Sequence, residues 1–444
     1  MNKIKLFYIF IILIFINNCS FDNKTGIWKN ENVTSNKDEN QFKDFRTLYS
    51  SKESFDEIIP LDKNYRFKLT KLISNFNWKD IYFDQTNNLV NLEYKDQNKI
   101  IFKSKKLTKY KSSSYILFEK NNLLINDEKG NIIIFSINDN KIISKFNFYK
   151  KKYKKIKKVL NYIVEDNIVY VSDNIGYLYA YNYQTNTILW AKNYKVPFRS
   201  NLKVAQDTLV AANQNNNLFF FNKLNGETLK LIPTEETVVK NKFINNLSLN
   251  DESLFFLNTY GSLFAFDKNT MTVNWFKNFN QSLNLNPSNL FYGNQIINNK
   301  KLLVVNSKDY TYFLDSNNGS ILFKVNFVSL IKPIISNDYL FSVTKNNLLI
   351  CFDLEKGKVV YSYNINEKIS EFLNIKKRKV VFKNMMIINN QIFIFLDNSY
   401  LLKFNLNGEL SKVTKLPSKI KSYPILIDSS LIYLDTKNKI SIVN

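Results

Sequence analysis

Side chains able to do nucleophilic or acid–base work are few in this chain and poorly spaced for it. Its 444 residues include no histidine, which removes Ser-His-Asp and Cys-His catalysis and every His-ligated zinc, copper or haem site. Two cysteines, Cys19 and Cys351, can build neither an iron–sulfur cluster nor a disulfide framework. Cys19 directly follows an apolar run. Cys351 sits inside the run Leu348 to Phe352, where a buried, inert thiol is expected. Aspartate and asparagine are plentiful enough to hold a Ca²⁺. However, Asn182, Asp267, Asp315 and Asp353 recur at strand ends, where short Asx side chains close turns. No Gly-rich phosphate loop of standard spacing occurs. No catalytic residue, no cofactor and no metal site is expected.

Charge is the next constraint. Lys and Arg number 62 against 38 Asp and Glu, a formal net charge of +24. Only Arg46, Arg66, Arg199 and Arg378 are arginines, whereas nucleic-acid readers lean on Arg for bidentate contacts. No nucleic-acid partner is expected. A chain rich in Lys, Asn and Ile and poor in Gly is what an AT-rich genome encodes; the other reading of the excess is attraction to an anionic surface. The densest run, residues 150–158 with seven Lys, reads as a solvated, self-repelling loop.

At the N-terminus, Lys3 and Lys5 precede the apolar stretch Leu6 to Ile16, followed by Asn17, Asn18 and Cys19. Eleven apolar residues fall short of the roughly 20 that span a bilayer, but suit an export signal. A cysteine placed directly after them resembles the bacterial lipoprotein signal, with Ile16 at its aliphatic position and Asn17 and Asn18 where small residues are usual. The resemblance implies a signal peptide over 1–18 and acylation (a palmitate-type anchor) at Cys19; an ordinary cleaved signal is the alternative. Residues 19–64 are polar without sustained periodicity and read as a flexible tether, with a reach of roughly 40 Å from ~5–6 Å × √n.

The elements that must position any site come from a repeat. Residues 168–190 read as a β-rich run, a turn at Gly176, a second alternating run ending at Asn182, another turn, and a third run closing on Trp190. Residues 254–275 repeat it with Gly261, Asp267 and Trp275. From Leu178 to Trp190 and from Leu263 to Trp275 the offset is twelve residues; the same offset reaches Phe323 from Thr311, Tyr361 from Leu349 and, out of character, Lys230 from Leu218. Turn positions fall at 130, 176, 216, 261, 309, 347, 399 and 438, a mean spacing of 44 residues. Eight strand-and-turn copies at that period predict an eight-bladed β-propeller of four-stranded antiparallel blades over 65–444. Trp190, Trp275, Phe323 and Tyr361 are expected to pack between blades. The last copy stops at Asn444 before its closing strand, so a strand near Ile100 to Lys105 is predicted to complete it and remove an exposed edge.

The phrase Gly-x-Leu-x-Ala-x-Asn/Asp with Trp twelve residues after the Leu resembles the pyrroloquinoline-quinone-type propeller repeat. Exported members of that family include quinoprotein dehydrogenases and the BamB-like lipoproteins of the outer-membrane β-barrel assembly machinery. The lipoprotein-like start and eight copies are similar to the latter. This chain lacks the adjacent Cys pair of the dehydrogenases and a Cys-x-x-Cys-His haem motif. The resemblance implies a non-catalytic, monomeric scaffold at the periplasmic face of the outer membrane. Its partners would be the barrel-forming subunit, nascent outer-membrane proteins and, through the lipid anchor, the membrane. A docking loop is implied between the Trp-ending strand and the next blade, here Pro197, Phe198 and Arg199, with Glu235 and Glu236 in a neighbouring loop. A quinone-dependent dehydrogenase and a polysaccharide-binding propeller are the alternative readings.

Overall fold

The structure is a computed structural model that describes residues 54–236, 244–280, 291, 295–376 and 379–444, with the strands Ser20–Phe21 and Trp28–Lys29. The signal peptide and Cys19 lie outside the described residues. So does most of the expected tether. The chain divides into residues 1–50 and 51–444. In the first unit the two short strands pair antiparallel.

Residues 51–444 form an eight-bladed propeller of antiparallel sheets, each blade a meander counted outward from its first strand. Blade 1 starts at Leu117–Glu119, blade 2 at Leu160–Glu165, blade 3 at Lys203–Ala205 and blade 4 at Asn246–Leu249. Blades 5 to 8 start at Ile297–Asn298, Ile334–Ser336, Phe382–Ile388 and Ile425–Ile427. First strands neighbour one another between blades 1 and 2, 3 and 4, 4 and 5, and 6 and 7, and so line the hub. Closure is as predicted: Ile100–Lys103 pairs antiparallel with Ile440–Val443 as the outermost strand of blade 8, Phe102 facing Ile442.

Local chemistry explains the period. Of the turn positions between second and third strands, Gly130, Gly176, Asn216, Gly261, Asn347, Ser399 and Asn438 have positive φ; Asp309 does not. Left-handed backbone is cheap for Gly and tolerable for Asn. An Asx residue commonly opens the same turn. The Asp173 carboxylate Oδ1 accepts from the backbone N–H of Ile175, Gly176 and Tyr177, each at 2.8 Å. Between third and fourth strands the register shifts by one residue, at Ala180/Tyr181 and again at Ala265/Phe266. Such a bulge turns the outer strand, and it brings Trp190 opposite Ala180 and Trp275 opposite Ala265.

That placement joins blade to blade. Trp190 lies against Gly226 in the turn of blade 3, where an added Cβ would come within 2.4 Å of its ring, and its indole N–H donates to the carbonyl of Lys223 at 2.9 Å. Trp275 meets Gly319 and Phe323 meets Gly357 in the same way, whereas Gly408 meets Tyr363 first, with the Tyr361 ring behind it. Lys230, the odd residue of the series, instead donates to the Met271 carbonyl of blade 4 at 2.8 Å. Asn182, Asp267, Asp315 and Asp353 all accept backbone N–H groups of their own turns.

Three features were not expected. Ordered packing begins ahead of residue 65: Phe55 is 4% exposed, and Ile59 bridges Ser362 on the outer strand of blade 6. The expected tether boundary is therefore too late by about ten residues, because Phe55 and Ile59 find apolar and backbone partners on blades 5 and 6. A helix, Ile365–Leu373, links blades 6 and 7, capped by Asn364, whose side chain accepts from the N–H of Asn366 and Glu367. The third is the hub.

Candidate functional site

In a propeller the hub is the natural place for a ligand, and here the chain fills it with its own residues. Residues 75–95 run once around the axis and meet the inner strands in order. Asn75 exchanges hydrogen bonds with Leu426 and Asp428 of blade 8. Trp78 exchanges backbone bonds with Phe118 of blade 1 at 2.7 and 2.8 Å, and Asp80 bridges Ile163 of blade 2. Gln85 donates to the Val204 carbonyl of blade 3 at 2.6 Å and accepts from Leu249 of blade 4. Thr86 accepts from Asn298 of blade 5, and Asn88 makes a two-way contact with Ile335 of blade 6 at 2.9 Å. Asn91–Leu92 adds a parallel strand inside blade 7, and Lys95 returns to Ser429 of blade 8.

Inside this collar lies a buried polar cluster. The Lys203 ammonium donates to Asp80 Oδ2, the Asp84 carbonyl and Asn87 Oδ1, each at 2.7 Å. The Asn87 amide donates to the carbonyls of Leu247 and Ile296, both at 2.8 Å. Burial raises the carboxyl pKa of Asp84. Lys332 donates to the carbonyls of Tyr82 and Asn87, and burial brings its pKa down to about 7. Every strong charge in the hub thus already has a protein partner.

On the face carrying the blade-to-blade connections, the hub opens into a depression of about 130 Å³ lined by Trp78, Tyr82, Tyr115, Lys332, Lys383 and Tyr423. Tyr115 packs on Tyr82 at 5.7 Å and on Tyr423 at 5.0 Å. Its floor is the collar itself. Pockets for drug-sized ligands start at roughly 300 Å³, and among the described residues no three His, Cys, Asp or Glu side chains group to hold a metal ion. The depression is too small for a tricyclic quinone, whereas a second cavity of about 400 Å³ lies along the collar between Asn75, Lys79, Asp80, Phe83, Asp84 and Ile163.

The expected docking residues are brought together, but not all as surface groups. All meet around the blade 3 turn Asn213 to Asn217. Gln214 donates its N–H to the Pro197 carbonyl at 2.7 Å, and Arg199 donates its N–H to Ala212 at 2.9 Å. Asn216 reaches the Glu235 carbonyl and Asn215 the Glu236 carboxylate. Phe198, however, is 2% exposed and packs against Tyr194, Phe219 and Phe221 inside blades 2 and 3. Glu235 is spent on Asn258 and Ser262 of blade 4. Phe198 and Glu235 therefore hold the loops in place, and Pro197, Arg199 and Glu236 remain as the outward groups. Arg199 is half-buried, and its Nε is a buried atom with no hydrogen-bond partner among the described residues. Cys351 is free and buried, which pushes its thiol pKa up.

Comparison with known proteins gives a family. A family model described as outer membrane protein assembly factor BamB matches residues 128–363. BamB from Moraxella catarrhalis superposes with a TM-score of 0.59 at 12% identity, over 76% of this chain and 99% of that one. Quinohemoprotein alcohol dehydrogenases are also similar. The enzyme from Comamonas testosteroni gives a TM-score of 0.59 at 9% identity, and ADHIIG from Pseudomonas putida HK5 gives 0.60 at 9%, each over 83% of this chain and 80% of the other. A sequence search of curated proteins gives no match. At such identities the structural likenesses speak for the fold alone.

Proposed function

The chain belongs to the outer membrane protein assembly factor BamB family, and from that premise we propose that it is a non-catalytic scaffold of outer-membrane protein assembly. The observation that carries the reading beyond kinship is the collar. A hub whose charges and backbone groups are satisfied by residues 75–95 leaves the outer surfaces and connection loops as the working parts. The organisation that goes with this is a signal peptide over 1–18, acylation at Cys19, a tether reaching to about residue 53, and residence at the periplasmic face of the outer membrane. Docking on the barrel-forming subunit falls to the loops gathered at Asn213 to Asn217, with Pro197, Arg199 and Glu236 outward.

Affinity purification of the full chain from its own envelope tests this. Co-purification of the barrel-forming subunit is expected, weakened by Arg199→Glu with no change in melting temperature. Recovery without that subunit, together with dye-linked alcohol or sugar oxidation on adding quinone and Ca²⁺, would replace the scaffold by an enzyme.

A further inference from the structure

We propose that the connection face of blades 8, 1 and 2 is a docking surface for an anionic lipid membrane. The connections spanning 104–116 and 148–159 carry eleven lysines and no carboxylate. The turn of blade 1 lies between them and adds Lys129. The carboxylates nearby are already engaged. Asp127 accepts from Thr108, Asn131 and its own turn. Asp173 accepts from the Tyr149 hydroxyl at 2.6 Å and from its turn. Glu128 takes Lys157 at 3.3 Å. What remains is cationic and crowded: Lys158, besides its burial, is held below its usual pKa by Lys129, and Lys421 likewise by Lys111. Like charges gathered without counter-charges define a place where an anion lowers the energy.

The other side chains suit a bilayer rather than a soluble polyanion. Lysines lie over tyrosine rings, Lys152 over Tyr153 and Lys158 over Tyr149, both at 4.9 Å, and Lys109 over Tyr110 at 5.4 Å. Tyrosine rings and lysine stems settle together at the headgroup level. Ile156 and Val159 stand 44% and 57% exposed in the same loop. A groove of about 420 Å³ between Tyr110, Lys129, Asn147, Tyr149, Lys154 and Lys158 admits a phosphate headgroup. Phe55 donates its N–H to Asn326, and Asn346 donates to the Phe55 carbonyl; these lie in the blade 5–6 connection and the blade 6 turn, so the first described residues of the propeller are held on this same face.

The charge argument does not need the anchor, and the test removes it. Full-length protein carrying Cys19→Ser is sedimented with vesicles of phosphatidylcholine alone or mixed with phosphatidylglycerol. Binding to the mixed vesicles only, lost by ~0.5 M salt as screening demands, is expected. Each lysine near an anionic surface strengthens partitioning about fivefold, so Lys151→Gln, Lys154→Gln and Lys155→Gln together should weaken it about a hundredfold with an unchanged melting curve. Lys141→Gln, Lys300→Gln and Lys301→Gln, on the opposite face, should leave it intact. Equal loss from both triple variants, binding indifferent to phosphatidylglycerol, or capture by heparin without capture by vesicles would overturn the proposal.

Discussion

Asp80→Ala puts the collar to its hardest test. Lys203 has a fully buried side chain, and among the described residues Asp80 supplies its one carboxylate, at 2.7 Å. After the substitution the ammonium keeps two neutral acceptors, the Asp84 carbonyl and Asn87 Oδ1, while Tyr82 loses the acceptor of its N–H at 2.8 Å. Removing one partner of a buried ion pair costs about 3–5 kcal/mol, because the other charge stays behind unsatisfied. Lys203→Met strands Asp80 in the same way and should cost a similar amount. Combining the two removes both charges, so the double variant should be more stable than the sum of the singles by about 2–3 kcal/mol. Urea unfolding followed by fluorescence gives both numbers. Trp78, packed on Phe83 at 4.8 Å within the collar, contributes a local signal. An Asp80→Ala protein within about 1 kcal/mol of the parent, or strict additivity, would mean that the pair does not pin the hub.

Three further outcomes follow from other contacts. Gly226→Ala forces a Cβ to within 2.4 Å of Trp190 at a φ of +71°, and strain with overpacking should cost at least about 2 kcal/mol in urea unfolding; a smaller loss would show that the blade 2–3 seam yields. Lys332 has its folded pKa lowered to about 7, so between there and the ordinary lysine value the unfolded chain binds more protons and stability rises with pH. Lys332→Met should flatten the pH dependence of the melting temperature across pH 7 to 10, by up to about 1.4 kcal/mol per pH unit; identical profiles would refute the assignment. Deleting residues 65–110 removes the collar and the closing strand together, and should abolish cooperative unfolding on calorimetry.

The propeller was legible because its repeat encodes local geometry. Asn216 and Asn438 sit in the sequence where Gly does in other copies, and both take the left-handed turn; the twelve-residue offset crosses one bulge and lands on the blade seam. Closure by Ile100–Lys103 was legible as a missing strand. The collar was not, because Asp84, Gln85, Thr86, Asn87 and Asn88 form a polar, aperiodic stretch whose partners are backbone atoms scattered over several blades. Nothing in local order distinguishes it from a linker. The place of Phe198 was not legible: an apolar side chain beside Arg199 reads equally as a surface anchor or as a plug, and only packing against Phe219 and Phe221 shows that it is buried. Glu235 fails for the same reason, its partners Asn258 and Ser262 lying one blade on.

The collar also fixes an order of events. Each inner strand that residues 75–95 engage is encoded downstream of them, and Ile100–Lys103 finds its mate only in the final five residues, 440–444. A ribosome or export channel therefore releases the centrepiece first and its frame last. A fragment that stops before residue 440 leaves Ile100–Lys103 without its partner, and the ring locks only when that strand arrives.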